Sequence, residues 1–331
     1  MNIAVYAPNW LGDAVMALPF VSQCAQFHGQ KVSVVCKSWV APVFENHPNV
    51  KEIIQYEAED LSGIQKTVSV GNQLKQHQFS HFYLLSDSFR CAFIAWKSGA
   101  EEISGFHSTG RSLFLTKVIN TSTKPIHRSK KYIDLIQSNK DDQAASINQL
   151  SGISLTEEEI NFGKNILKTM GILNPIAIFP FSIAKSRSLP DALTVDILNT
   201  INRPAVIFGS ESDKPNADIL VEKSQNNVFS LCGKFSLRKT IAIISQCVGA
   251  IATDSGLGHI SANLGIPTVS IFGAGDQTQT RPIGPKAMVI NKQVHCSPCK
   301  KNSCINQDEP LLCIDLITAQ EVNKALLNIS I

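Results

Sequence analysis

No apolar run in this 331-residue chain approaches the roughly 20 residues that a membrane-spanning helix requires. The chain also lacks a leader of basic, then apolar, then small residues: residues 2–7 read at once as a strand. The expected location is therefore the cytoplasm. Charge of one sign is scarce as well. A net charge of +3 gives little of the electrostatic footprint that nucleic-acid binding depends on, so no nucleic-acid partner is expected. With 44% apolar and 17% charged residues the chain is an ordinary globular protein, not a disordered one. A glycine-rich dinucleotide fingerprint is missing, since Gly12 stands alone after the first strand. No Asp-x-Asp pair stands in a loop to hold a divalent metal, and no cofactor is expected. Nine cysteines, four of them bunched near the C-terminus, do not make a secreted disulfide scaffold.

What is present is alternation. Strands are expected over 2–7, 31–36, 49–56, 79–85 and 102–106, with helices over 14–27, 39–45, 64–76 and 89–97 between them. A further helix is expected over 132–150. The pattern restarts near 175, with strands at Ile176, 205–208, 228–231, Ala250 and Val269. Strands alternating with helices at this spacing specify α/β architecture: parallel sheets covered on both faces. The length suits two domains, which we place at 1–160 and 172–331, and the closing helix, 318–327, is expected to pack back on the first.

The most informative stretch runs from Gly249 to Gly273. A short apolar strand ends in Thr253-Asp254-Ser255-Gly256, a helix with Ile260 and Leu264 on its apolar face follows, and Thr268 opens another strand. Asp254 or Ser255 is the expected cap. Such a turn presents unpaired helix N–H groups at the carboxyl edge of a parallel sheet, where phosphates bind; the bland alternative is an ordinary connection whose glycines serve only the turn. His259, one turn further in, either reaches that anion or packs beneath it.

Other candidates are spread along the chain. The first strand runs into Asn9-Trp10-Leu11-Gly12-Asp13, which we read as a turn before the helix at Ala14. Basic residues accumulate between His107 and Lys131, including Arg111, Lys117, Lys124, Arg128 and Lys130; they form either a solvated face or a surface for an anionic acceptor. Lys185 and Arg187 follow the strand at Ile176, and either is able to hold a phosphate. Glu211 closes the strand at 205–208, where a carboxylate accepts from a ribose or a base. Gly233, before Lys234, suits close backbone approach. Cys296, Cys299, Cys304 and Cys313 carry one pair at zinc-ligand spacing and a second spread too widely for it, so thiols, a disulfide and a metal all stay open.

Asp254-Ser255-Gly256 with His259, and Asn9 to Asp13, resemble two motifs of the glycosyltransferases that move heptose from ADP-heptose to the lipopolysaccharide core, family 9, heptosyltransferase II-like members included. Leu231-Cys232-Gly233-Lys234-Phe235-Ser236-Leu237 is similar to that family's segment beside the nucleotide base, and the cysteine cluster is similar to one among its second-heptose members. The loop around Lys185 departs from the family's: Leu189 stands where a tryptophan precedes the proline, and Arg187 falls on the lysine position. The resemblance implies a GT-B fold, two doubly wound Rossmann-like domains facing a central cleft, and an inverting transferase without metal. It implies Asp13 as base, with Gly12 beside it, and Lys185, Arg187, Glu211, Gly233, Lys234, Asp254, Ser255, Gly256 and His259 around the donor. The implied partners are ADP-heptose and the lipopolysaccharide inner-core acceptor, met at the inner face of the inner membrane. A nonhydrolysing sugar-nucleotide epimerase and a noncatalytic nucleotide-binding protein of the same fold are the alternatives.

Overall fold

A computed structural model describes residues 1–121, 124–136 and 152–330. The chain divides into two compact units, Met1–Ser154 and Leu155–Ile331. The first holds a sheet of β1 (Ile3–Tyr6), β2 (Val32–Lys37), β3 (Val50–Tyr56), β4 (His81–Leu84), β5 (Glu102–Phe106) and β6 (Lys117–Ile119), in the order β3-β2-β1-β4-β5-β6. The second holds β7 (Ile176–Phe179), β8 (Ala205–Ile207), β9 (Val228–Ser230), β10 (Gly249–Thr253), β11 (Thr268–Ile271) and β12 (Ala287–Ile290), in the order β12-β11-β10-β7-β8-β9. Numbered within its own unit, the second order is the first over again. Every strand pair is parallel. This is the doubly wound α/β arrangement that the alternation specifies, and in each sheet the order reverses beside the unit's first strand.

Burial explains why these segments became strands. Successive side chains point to opposite faces, and helices cover both, so the central strands are apolar apart from His81 and Thr253 at their ends. In the second unit Ile178, Ile207, Ile251 and Val269 join one core. Their neighbours Ala177, Phe179, Val206, Ala250 and Ala252 join another on the opposite face. The first unit has its own core around Ala4, Tyr6, Phe82, Leu84 and Ile94.

Several expectations are corrected. The first helix is Leu11–His28, not 14–27, so Gly12 and Asp13 lie inside its first turn. An acidic third residue suits the positive helix end, which lets the helix begin earlier than the apolar periodicity announces. The segment expected as a helix over 39–45 is a 3-10 turn, Ser38–Val43, with Pro42 inside it, because proline removes a backbone donor. The helix expected over 132–150 is seen only as Arg128–Ile133; the part beyond residue 136 lies outside the described residues. The closing helix, Ala319–Ser330, sends Val322, Ala325 and Leu326 into the core of its own unit.

The acidic run at 156–159 is the start of a helix. Thr156 and Glu159 form a reciprocal capping box for Glu157–Thr169. The same Glu159 carboxylate takes two bonds from Arg238, at 2.5 and 2.8 Å. Gly163 lets this helix approach Leu237–Ile244, since a Cβ there would fall on the carbonyl of Ala242. The Arg238 bond holds the Glu159 pKa below the ordinary value, against burial that raises it. A depressed folded pKa contributes stability above the unfolded carboxylate pKa and loses it as pH falls through the folded one. Glu159→Gln is therefore expected to cost about 1 kcal/mol at pH 7, allowing for its partial exposure. Urea titrations of both proteins should show that difference shrinking to nothing as the pH drops below about 4.

Candidate active site

The reversal of strand order sends neighbouring loops to opposite faces of the sheet and leaves a crevice at the carboxyl ends of the strands. In the second unit the reversal lies between β7 and β10. The loop after β7 carries the 3-10 turn Lys185–Arg187, and the turn after β10 carries Asp254. Their meeting there is a product of topology. Arg187 Nη1 lies 3.2 Å from Asp254 Oδ2, and the Asp254 side chain is only 6% exposed. Thr253 Oγ1 donates to the Arg187 carbonyl, a second tie between the two loops, from side chain to backbone. Lys185 is exposed, so of the two candidate cations it is Arg187 that the fold brings to Asp254.

The cap differs from the expectation. Ser255 occupies the N-cap position of the helix Gly256–Asn263, but its side chain makes no capping bond. The Asp254 carboxylate faces Arg187 through its Oδ2. Ser255 Oγ and Arg187 Nε are buried with no hydrogen-bond partner among the described residues, so the turn combines helix N-terminal N–H groups, a hydroxyl and a guanidinium. Such a set suits an anion with several oxygens. His259 lies 3% exposed within the same helix. The loop after β11 closes in on the carboxylate: a Cβ on Gly275 would collide with Asp254. Beyond it Asp276 pairs with Lys300 at 2.9 Å. Burial works against the Asp276 charge, and the Lys300 ammonium overcomes it, so its pKa is lowered. Neither residue was a sequence candidate, although the Gly273-Ala274-Gly275 run ends one residue short of Asp276.

At the next strand ends the structure joins two more candidates. Gly233 has φ +68°, and a Cβ there would fall on the Glu211 carboxylate. Glycine is thus needed both for the backbone conformation and for the approach. Lys234 beside it is exposed, as is Glu211.

In the first unit the reversal lies between β1 and β4. Asp13 follows β1, and its Oδ2 is 2.7 Å from Arg128 Nη1. Burial opposes the Arg128 charge, but Asp13 and Tyr132 outweigh it and raise its pKa above the ordinary guanidinium value. Asp87, after β4, receives Arg111 at 3.2 Å and Lys131 at 2.9 Å. Three members of the basic run thus serve two carboxylates at one strand-end crevice, and Arg111 is wholly buried. The run was legible in the sequence, whereas its partner Asp87 was not, because nothing local marks it.

The cysteine cluster is also a spatial one. Cys296, Cys299, Cys304 and Cys313 line a single cavity with Gly273 and Ser186. All nine cysteines are free thiols, and burial, then the neighbouring Cys296, Cys304 and Cys299, push the Cys313 thiol up to about 11. Among the described residues no group of three or more His, Cys, Asp or Glu side chains is placed to hold a metal ion. Nor, among them, is any helix long and apolar enough to cross a membrane.

Comparison with known proteins adds an independent line. The model of glycosyltransferase family 9 (heptosyltransferase) matches residues 67–309. Lipooligosaccharide heptosyltransferase 2 of Campylobacter jejuni is 28% identical over 310 residues, covering 92% of this chain and 91% of its own. The structure of Escherichia coli ADP-heptose lipopolysaccharide heptosyltransferase II superposes with a TM-score of 0.82 at 22% identity, covering 100% of this chain and 98% of that one. A family 9 glycosyltransferase from Veillonella parvula gives 0.87 at 21%, covering 99% and 97%. These likenesses show the GT-B fold.

The close approach at Gly275 gives a direct check. Gly275→Ala must displace the Asp254 carboxylate or the loop, and is expected to destabilise by about 1–3 kcal/mol. A urea midpoint equal to that of the wild type would show that the loop yields freely.

Proposed function

Because the chain belongs to glycosyltransferase family 9 (heptosyltransferase), we propose that it moves heptose from ADP-L-glycero-D-manno-heptose to the inner core of lipopolysaccharide, as a heptosyltransferase II-like inverting enzyme. The observation that carries this reading is the Arg187–Asp254 pair beside a helix N-terminus whose N-cap serine hydroxyl is left unbonded. The heptosyltransferase 2 names of its relatives support the choice of sugar and acceptor.

In this reading the second unit holds the donor. The N–H groups at Gly256 and the Ser255 hydroxyl receive the diphosphate, Arg187 adds its charge, and Asp254 holds the guanidinium in place. His259 supports the turn from beneath. Glu211, Gly233 and Lys234 lie toward the ribose and base. Lys185 stands at the rim, where it draws the anion in. The first unit holds the acceptor near Asp13, with Gly12 leaving space beside it and Arg128 orienting the carboxylate.

The reaction is a single displacement. Asp13 takes the proton of an acceptor hydroxyl while that oxygen forms a bond to the anomeric carbon of heptose. The bond from that carbon to the β-phosphate oxygen breaks, and ADP departs carrying the electron pair. Its growing charge falls on Arg187 and the helix N-terminus, which supply what a metal does elsewhere. The acceptor is carried on a lipid, so the enzyme works in the cytoplasm, peripheral on the inner face of the inner membrane. Neither the epimerase nor the noncatalytic alternative has an observation in its favour.

Two measurements test the assignment. Asp13→Asn is expected to fold and bind ADP while turnover falls about a hundredfold or more; turnover within a few fold of wild type removes Asp13 as the base. ADP is expected to raise the melting temperature of the wild type without magnesium, because it binds only the native state. Gly256→Val, which puts a branched side chain at the anion position, should abolish that rise. Equal calorimetric binding of ADP by both proteins would take the Gly256 turn out of the site.

A further inference from the structure

The cavity lined by the four cysteines borders the proposed donor site, and the segment that walls it makes a particular set of bonds. Ser186, between the two loop cations, is 3% exposed. Its Oγ donates to the Lys301 carbonyl at 2.5 Å, and its N–H donates to the Asn302 carbonyl at 3.1 Å. One residue earlier, the Lys300 N–H donates to the Ala274 carbonyl at 2.8 Å, and its ammonium pairs with Asp276. Ser297 Oγ donates to the Gly273 carbonyl at 2.5 Å. Residues 297–302 therefore grip two loops at once: the one after β7 that bears Arg187, and the one after β11 that presses on Asp254.

Within the loop after β7 the Arg187 N–H donates to the Ala184 carbonyl at 2.9 Å and the Ser188 N–H to the Lys185 carbonyl at 3.3 Å, and Thr253 holds the Arg187 carbonyl; these bonds shape the turn, and Ser186 ties it to the strap. The loop's base is closed by Ser182 and Ser188, whose N–H and hydroxyl meet at 3.0 Å, and by the Leu189 N–H on the Pro180 carbonyl at 2.9 Å. Its tip meets the strap through Ser186, and Arg187 is the next residue. An arginine side chain has several rotatable bonds and loses about 2 kcal/mol of rotamer freedom when fixed. A backbone already held on the side of Asp254 reduces what must be ordered when the anion arrives.

We propose that Ser186 is a positioning residue of the donor site: bonded to the strap at Lys301 and Asn302, it sets the backbone from which Arg187 reaches both Asp254 and the donor diphosphate. This rests on the reading of Arg187 as a diphosphate-holding residue. The cysteine-lined segment is then a buttress of the site, and its carbonyl groups, the Lys300 N–H and the Ser297 hydroxyl, rather than its thiols, do the holding.

A double-mutant cycle on the full chain, read by ADP titration calorimetry, tests the proposal. Ser186→Ala is expected to weaken ADP binding about tenfold, the scale of one lost buried hydrogen bond. Ser186→Thr, which keeps the hydroxyl, should restore affinity to within about threefold of wild type. Arg187→Ala should weaken ADP by more than Ser186→Ala does, and in the Arg187→Ala background the serine change should alter the dissociation constant by less than about twofold. Equal factors in both backgrounds would show that Ser186 supports the fold generally and would overturn the proposal, as would unchanged affinity in Ser186→Ala. Should Ser186→Ala not fold, Ser297→Ala, which frees the strap from Gly273, replaces it in the cycle with the same two outcomes. If Arg187→Ala binds ADP as wild type does, the reading of the donor site fails and the proposal with it. If Arg187→Ala is weakened and the serine effect is additive, the proposal fails alone.

Discussion

The ion pair between Arg187 and Asp254 depends on a reversal in a parallel sheet. β7 and β10 are hydrogen-bonded neighbours, but their following connections leave toward opposite faces, so the loops part and their polar groups face one another across the gap. A carboxylate with 6% exposure is costly unless a cation meets it. The surrounding glycines follow from that requirement. Gly275 must lack a side chain for the third loop to reach the carboxylate, and Gly258 brings the helix down on β10, where a Cβ would lie 2.8 Å from that of Ala252.

The same topology places Asp13 and Asp87 in the first unit, but the charges are distributed differently. There two carboxylates share three cations, and the buried Arg111 anchors the arrangement from below. One architecture therefore yields two strand-end sites of different character. One combines helix N–H groups with a single arginine; the other is a network of side chains from the first turn of the helix Leu11–His28, the loop after β4, the 3-10 turn Arg111–Phe114 and the helix Arg128–Ile133.

The parallel sheets were legible because buried strands are apolar on both faces and are separated by helices of steady length. The strand at 102–106 and the helix at 89–97 match the structure at both ends, since Ser88 caps that helix with its side chain and Gly99, φ +71°, turns the chain after it. The first helix was less legible: Trp10 at its N-cap has no capping side chain, so its true start left no local mark. The role of Ser255 was misjudged for a related reason. A serine before a helix is statistically a cap, and only the arginine arriving from a loop far earlier in the chain shows that the turn is arranged otherwise. Asp87 and Ser186 were invisible because their partners lie 24 and 115 residues away.

The strand order has a consequence for synthesis. In each unit the first strand made, β1 or β7, belongs at the middle of its sheet. Later strands add outward on either side of an existing template. The first unit has its own core and owes no strand to the second. At a synthesis rate of about 5–20 residues per second, the remaining half takes on the order of ten seconds or more to emerge, ample for a domain of this size to collapse around its central strand. The unit that bears Asp13 is therefore able to mature on the ribosome before the residues that would hold the nucleotide have been translated.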